Sequence, residues 1–397
     1  MPTRIRFLTA GESHGPKLTA IVEGVPAGLA LDRGRIDLEM ARRQKGFGSG
    51  GRMRIEHDRA RITAGIAAGR TTGAPIALEI ENRDHESWRD RDIEPMVTPR
   101  PGHADLAGAI KYGHADLRPG LERASARETA ARVACGAICR QLLSHLGVTV
   151  GGYTRSIGPV AADLEDDTDE ETYARRFETA LGNDLACPDV GSLERMREAI
   201  DAASGDGDTL GGIIEVVVTG LPPGLGSYVH WDRRLDARLA MAMVSIQAMK
   251  GVEIGPAFSN AALRGTGVHD AILRQGDALV RGSNRAGGIE GGITNGRPVV
   301  IRVAMKPIST TRTPLPSVNL VTGDEAEAAH ERSDVCAVPR AVPVAEAMAA
   351  ILIADALLEK LGGDSIDEIL PRLESLRTGR LDELHLDGKP WRFGYDD

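Results

Sequence analysis

Short apolar runs rich in β-branched residues recur along the chain, each bounded by glycine or proline. They predict strands at 4–10, 18–24 (LTAIVEG), 75–80 (PIALEI), 213–219 (IIEVVVT) and 298–304 (PVVIRVA). Between them, apolar residues return every three or four positions. This spacing predicts helices at 32–44, 170–181, 193–203, 232–249 and 342–361. The best-defined helix is 125–146, which opens on SARE and stops at Gly147. Ser125 and Glu128 there have the Ser-x-x-Glu spacing of a capping box. Strands and helices alternate without the steady beat of a parallel sheet, so the expected class is α+β. No linker of Gly/Ser or Pro type divides the chain, and a single domain over 1–397 is expected. The acidic stretch ADLEDDTDEE at 162–171 reads as the start of a charged, solvated excursion over about 160–210.

Composition narrows the function. There are 47 glycines against 3% aromatic residues, which suits a ligand site built from loops and argues against base-stacking surfaces. A net charge of -9 argues against nucleic-acid or anionic-membrane partners. Arginine is nevertheless concentrated beside Gly-rich segments of the first third, at Arg42, Arg43, Arg52, Arg54, Arg100, Arg118, Arg123, Arg127 and Arg132. An acidic chain that clusters arginine around loops is expected to bind a small polyanion. The four cysteines lack metal-ligand spacing and read as reduced thiols, no metal site is expected, and no segment reads as a membrane span or leader. A cytoplasmic location is the expectation.

Two motifs look like known devices and fail on context. GESHG at 11–15 satisfies the G-x-S-x-G of a hydrolase nucleophile elbow, with Ser13 as nucleophile, but the strand-like LTAIVEG follows where a helix is required. GFGSGG at 46–51 satisfies G-x-G-x-x-G, yet it follows a helix and enters a strand. What survives is a Gly-rich loop flanked by arginines. His14 and His103 both sit in tight turns, off any apolar face. Two such histidines with clustered arginines are what acid-assisted loss of a phosphate requires. Arg123 and Ser125 lie at a helix start, where free N–H groups favour an anion, although pairing of the arginines with Glu122 or Glu128 is an equal alternative. Lys306, Ser309, Thr310 and Thr311 form a cationic, hydroxyl-rich strand end.

The segments AGESHGPKLTAIVEGVPAG, RRQKGFGSGGRM, PRPGHAD, LERASARETAARVACGA, SIQAMKGVEIG, GGIEGGITNG, MKPIST and ERSDVCAVPRAVPVAEAM, in this order over residues 10–350, resemble the chorismate synthase family. The resemblance implies a β-α-β sandwich with helices between antiparallel sheets, assembled as a homotetramer. It implies a lyase that eliminates phosphate from 5-enolpyruvylshikimate 3-phosphate in an anti-1,4 sense, giving chorismate at the last common step of the shikimate pathway. Reduced FMN is the implied cofactor, with NADPH as a candidate reductant.

Carried onto matching positions, the resemblance makes His14 the acid for the departing phosphate and His103 a proton donor to the flavin. Asp334 would help the flavin nitrogen that takes the substrate proton. FMN contacts fall on Arg123, Ala124, Ser125, Gln247, Ala248, Gly291, Lys306, Pro307, Ile308, Ser309, Thr310 and Arg332. Substrate contacts fall on Arg43, Ser49, Arg52 and Arg132. Two features depart from the family pattern. Ser49 stands where relatives carry an arginine, which predicts a weaker loop contact, and His114 repeats the GHAD sequence outside the PRPGHAD motif. Two rivals remain: a serine hydrolase using Ser13, and a flavin- or phosphate-binding protein without the chemistry.

Overall fold

The structure, a computed structural model, describes residues 4–49, 57–166, 168–328, 333–391 and 393–394. Strands β1 (Arg6–Ala10), β2 (Lys17–Glu23), β3 (Arg61–Ala64) and β4 (Ile76–Glu81) form an antiparallel sheet in the order β1-β2-β4-β3. A second antiparallel sheet joins β5 (Thr149–Ile157), β6 (Val160–Ala161), β7 (Gly212–Thr219), β8 (Met249–Ile254) and β9 (Val299–Met305) in the order β8-β9-β7-β5-β6. The longer helices up to residue 361 are α1 (Arg33–Gln44), α2 (Asp105–Tyr112), α3 (Arg118–Ala124), α4 (Thr129–His145), α5 (Glu170–Leu181), α6 (Leu193–Gly205), α7 (Leu235–Val244) and α8 (Val338–Leu361).

Helix α4 packs on β2 and β4 of the first sheet and, on its other side, against α8; α8 in turn covers β5 and β7 of the second. Helices α1 and α7 complete the layer. This is the expected sandwich, with helices between antiparallel sheets. Strand periodicity makes the first sheet one-sided: Leu18, Ala20 and Val22 alternate with the exposed Lys17, Ile21 and Glu23, and Ile76, Leu78 and Ile80 face the same core. Each large aliphatic side chain so buried contributes about 1.5–3 kcal/mol.

Helix α8 is long and apolar enough to cross a membrane, yet its apolar stretch is buried within the protein. Its buried charges are both paired. Glu346 accepts from Arg42 and Arg140, and Asp355 accepts from Arg238 and from the backbone N–H groups of Arg4 and Ile5. The first pairing ties α1 and α4 to α8, which fixes where α1 releases the Gly-rich loop.

Three readings of the sequence need correction. Strand β5 is central in its sheet but was not predicted, because Gly151 and Gly152 interrupt its apolar pattern. Both are required by close approach: a Cβ on Gly151 would lie 2.5 Å from the Phe177 ring, and one on Gly152 3.1 Å from the Glu346 side chain. The helix expected over 232–249 ends at Val244, and its tail becomes a turn and β8. The capping box is not made. Ser125 accepts from the N–H of Arg127 at 3.2 Å and caps a single 3-10 turn, while Glu128 turns toward the site described below. The charged segment beyond 160 covers the outer face of the second sheet, where Tyr173, Phe177 and Ala180 of α5 meet Tyr153, Val217 and Val300.

Candidate active site

The turn between β1 and β2 is the GESHG segment. Gly11 begins it at φ 110°, where an added Cβ would sit 2.5 Å from the Lys17 carbonyl oxygen. The chain leaves it as strand β2, so the strand-turn-helix of a nucleophile elbow is absent here. Ser13 is buried, its N–H donating to the Glu122 carbonyl at 3.1 Å, with the Ser125 hydroxyl 3.2 Å from its own. His14 is only partly buried. Its backbone N–H donates to one carboxylate oxygen of Glu122 and its Nδ1 lies beside the other, both at 2.7 Å. Burial pushes the Glu122 carboxyl up, but these bonds from the His14 ring and backbone outweigh it and hold Glu122 below the usual range. The partner is therefore a carboxylate at neutral pH.

Beside the turn opens a cavity of about 370 Å³ lined by Phe7, Leu8, Thr9, Arg123, Glu128, Arg132 and Gln247. Arg123 crosses from the end of α3 to the carbonyls of Thr9 and Gly11 at 2.8 and 3.1 Å. Glu128 gathers the rest of the floor: it accepts from the Thr9 hydroxyl (2.6 Å), the Gln247 amide (3.1 Å) and Arg132 (2.8 Å). Burial raises its carboxyl, and Arg132, Thr9 and Gln247 more than reverse the effect. The Gln247 amide oxygen is buried without a hydrogen-bond partner among the described residues. An orphaned acceptor costs free energy unless a ligand donor reaches it. With an apolar wall and two arginines beside that acceptor, these residues fit a flavin nucleotide, whose ring carries an N–H and whose phosphate is anionic. Ala248, next in the chain, holds φ at 66°, and its carbonyl accepts from the Lys306 N–H at 3.0 Å.

Lys306 brings the KPIST strand end to this cluster. Its ammonium is pushed below the usual lysine value by burial and then by the neighbouring Lys250. The same strand end meets the PRPGHAD turn, since a Cβ on Gly102 would touch Ser309 at 3.4 Å and Arg100 lies 3.4 Å from the Thr310 hydroxyl. His103 is held there by Asp105 through Nδ1, and Arg100 braces Asp105 at 2.8 Å. Burial raises the Asp105 carboxyl, but the hydrogen bonds from His103 and Arg100 hold it well below the carboxylate range. His114 is exposed and stacks on Tyr112 instead.

A buried chain of ion pairs joins the remaining candidates. Asp334 pairs with Arg340, whose Nε donates to the Arg43 carbonyl at 3.1 Å. The Arg43 side chain donates to Asp58 at 2.8 Å, and Arg127 reaches the same carboxylate at 2.6 Å and Asn82 at 2.7 Å. Asn82 then donates to the carbonyls of Glu12 and Gly15 in the GESHG turn. Arg43 is pushed down to about 10, chiefly by burial, with Asp58 opposing and Arg127 and Arg340 adding. It stays charged at neutral pH. Ser49 spends its hydroxyl on the Gly46 carbonyl of its own loop at 2.5 Å.

Most residues expected at the site thus converge through contacts or chain neighbours: His14, Arg123, Ala124, Ser125, Arg132, Gln247, Ala248, Lys306 to Thr310, His103, and, through the ion-pair chain, Arg43 and Asp334. Gly291 lies in the hairpin beside the start of α7, where the Gly292 carbonyl accepts from the Leu235 N–H at 3.0 Å. Arg52 and Arg332 fall outside the described residues. Reading the sequence missed Asp58, Asn82, Trp88 and Asp105, and treated Glu122 only as an alternative partner for arginine.

Residues 5–358 match the family model described as chorismate synthase. The chain is 54% identical over 390 residues to the chorismate synthase of Desulforudis audaxviator, covering 95% of this chain and 99% of that one. It is 52% identical to the chorismate synthase of Trichlorobacter lovleyi, covering 95% and 100%. It superposes on a crystal structure of chorismate synthase with a TM-score of 0.78 at 44% identity, covering 94% of this chain and 97% of the other. With the sandwich fold and the converging turns, these matches show that the chain belongs to the chorismate synthase family.

Proposed function

We propose that in this lyase His14 is the acid that protonates the departing phosphate of 5-enolpyruvylshikimate 3-phosphate, with Glu122 orienting its ring. The observation that carries the reading is the single carboxylate engaging both the backbone and the imidazole of His14, in the turn whose Gly11 carbonyl is held by Arg123 of the arginine-lined cavity. The elimination breaks the C3–O bond to phosphate and the C6–H bond, and the new double bond yields chorismate. The enzyme of this family works with reduced FMN, which supplies electron density to the substrate ring and a basic nitrogen when bound.

The protein's own groups bind, orient and move protons. Arg123, Ala124, Ser125, Gln247, Ala248, Arg332 and the stretch Lys306 to Thr310 hold the cofactor, joined by Gly291 in this assignment. His103, fixed through Nδ1 by Asp105, would donate a proton to the flavin, and Asp334 would help the flavin nitrogen that takes the substrate proton. Arg132, Arg52 and the Gly-rich loop with Ser49 hold the substrate's carboxylates and phosphate, and Arg43 keeps that loop's base in place through Asp58. Unit charges about 4 Å apart interact by roughly 4 kcal/mol at an effective dielectric of 20, so a substrate with several negative charges needs this many cations.

The reading extends to a single domain, a homotetramer in the cytoplasm and NADPH as a source of reducing equivalents. One apolar core running from Ile5 to Ile369 supports the first. Exposed Tyr228, Val229 and Trp231 support burial against further copies, and four buried unpaired thiols suit a reducing compartment.

The test is phosphate release from 5-enolpyruvylshikimate 3-phosphate with pre-reduced FMN under anaerobic conditions. Release that falls by about 100-fold or more in His14→Ala supports the assignment. Full turnover in that variant would sink it, and a fluorophosphonate adduct on Ser13 would revive the hydrolase.

A further inference from the structure

The segment NRDHESW at 82–88 grips the GESHG turn with three residues spaced by three. Asn82 donates to the carbonyls of Glu12 and Gly15 at 3.1 and 2.7 Å, and its N–H donates to the Pro16 carbonyl at 3.1 Å. His85 brings Nδ1 to 2.8 Å from the His14 carbonyl; that oxygen can only accept, so Nδ1 carries the hydrogen. Trp88 sets its indole against the His14 ring, centroids 4.3 Å apart at 38°. Residues 85–88 form one helical turn, which puts positions 82, 85 and 88 on one side of the segment.

We propose that Trp88 is a positioning residue that holds the His14 imidazole in place and favours its protonated form through the face of the indole. The inference rests on the reading of His14 as the acid. The Glu122 carboxylate at Nδ1 fixes one edge of the ring. The indole packs against the face of the ring, and its own electron-rich face attracts an imidazolium more than a neutral ring. The indole is itself steadied, its N–H lying 3.4 Å from the Asp84 carboxylate.

The charged and titratable groups around His14 are few in kind. Glu122 faces it from α3, Glu12 belongs to its own turn, and His85 and Asp84 come from the 82–88 segment. Arg118 stands 6.0 Å from the indole centroid and also acts on the Glu122 carboxylate. Glu122, Glu12 and Asp84 bring negative charge to this corner of the protein and Arg118 a positive one.

The experiment uses the full chain with Trp88→Phe and Trp88→Leu. A protonated imidazole in contact quenches indole fluorescence, so the emission difference between wild type and Trp88→Phe, titrated from about pH 5 to 9, reads His14 directly. Trp231 and Trp391 cancel in that difference. A quenching step that disappears in His14→Gln is expected. Anaerobic phosphate release should show Trp88→Leu losing about tenfold in kcat, with the substrate KM within about twofold. The alkaline limb of its pH profile should move about 0.5–1 unit to lower pH, and Trp88→Phe should recover most of both.

Absence of a His14-dependent quenching step would overturn the proposal. So would a Trp88→Leu enzyme whose KM rises while its pH profile stays in place, which would mark a ligand contact instead. If Trp88→Leu does not fold, the fluorescence titration and the Phe variant decide the matter. A quenching step that is lost in His14→Gln, in a variant that nevertheless turns over normally, would sink the acid assignment alone and leave the coupling standing.

Discussion

The Glu122 carboxylate receives both the backbone N–H and the ring Nδ1 of His14, each at 2.7 Å. One side chain on α3 therefore fixes both the shape of the GESHG turn and the direction of its imidazole. Glu122→Gln keeps an acceptor for the backbone N–H but removes the charge that faces the ring. We expect kcat for phosphate release to fall about 10–100-fold with little change in the substrate KM. Unchanged kcat would mean that the carboxylate only shapes the turn.

The two GHAD sequences part company in the fold. His103 is half-buried and tied to Asp105, whereas His114 is exposed beyond α2 and stacked on Tyr112. Asp105→Asn preserves shape but offers an amide where His103 needs a carboxylate, so turnover should drop about 10–100-fold. His114→Ala should stay within about twofold of wild type. Anaerobic turnover of both variants checks the assignment, and equal losses would show that the wrong histidine was chosen.

Much of this was legible because it is local. Strands β1, β2, β4, β7 and β9 and most helices carry their own periodicity, and the histidines stand in turns whose glycines are visible in sequence. What stayed hidden depends on partners far away in the chain. Strand β5 reads as a loop until Phe177 and Glu346 are seen pressing on Gly151 and Gly152. Glu128 fits a capping box in sequence, yet Thr9 and Gln247, each 119 residues distant, claim its carboxylate. Asp58 and Asn82 lie in no recognisable motif, and nothing local says that two arginines converge on the one and the GESHG turn rests on the other.

Ser49 tests the loop itself. Its hydroxyl closes the turn onto Gly46 at 2.5 Å, a bond that an arginine side chain would not make. Ser49→Arg restores the residue common in relatives and adds a cation to the loop. The substrate KM should fall by about threefold to tenfold, since one charge-assisted contact is worth about 1 kcal/mol or more. A variant with unchanged KM and kcat would show that the loop does not close on the substrate.

Asp58 is the junction of the buried chain, and its removal is the sharpest test of how the turn is held. It accepts from Arg43 and from Arg127, and Arg127 connects it to Asn82 and so to the GESHG turn. Burial pushes its carboxyl up, but Arg43 and Arg127 reverse this and hold it below the usual aspartate range. The sign follows from that depression: a carboxyl lower in the folded than in the unfolded chain stabilises fully above its unfolded value, near pH 4, and this contribution is lost as pH falls through the folded value. Asp58→Asn leaves two guanidinium groups buried against a neutral amide, a change that costs about 3–5 kcal/mol in comparable buried pairs. Its urea midpoint should lie well below that of wild type from about pH 6 to 8, and the gap should narrow below about pH 4. A gap that is independent of pH would mean that the aspartate acts through shape and not through charge.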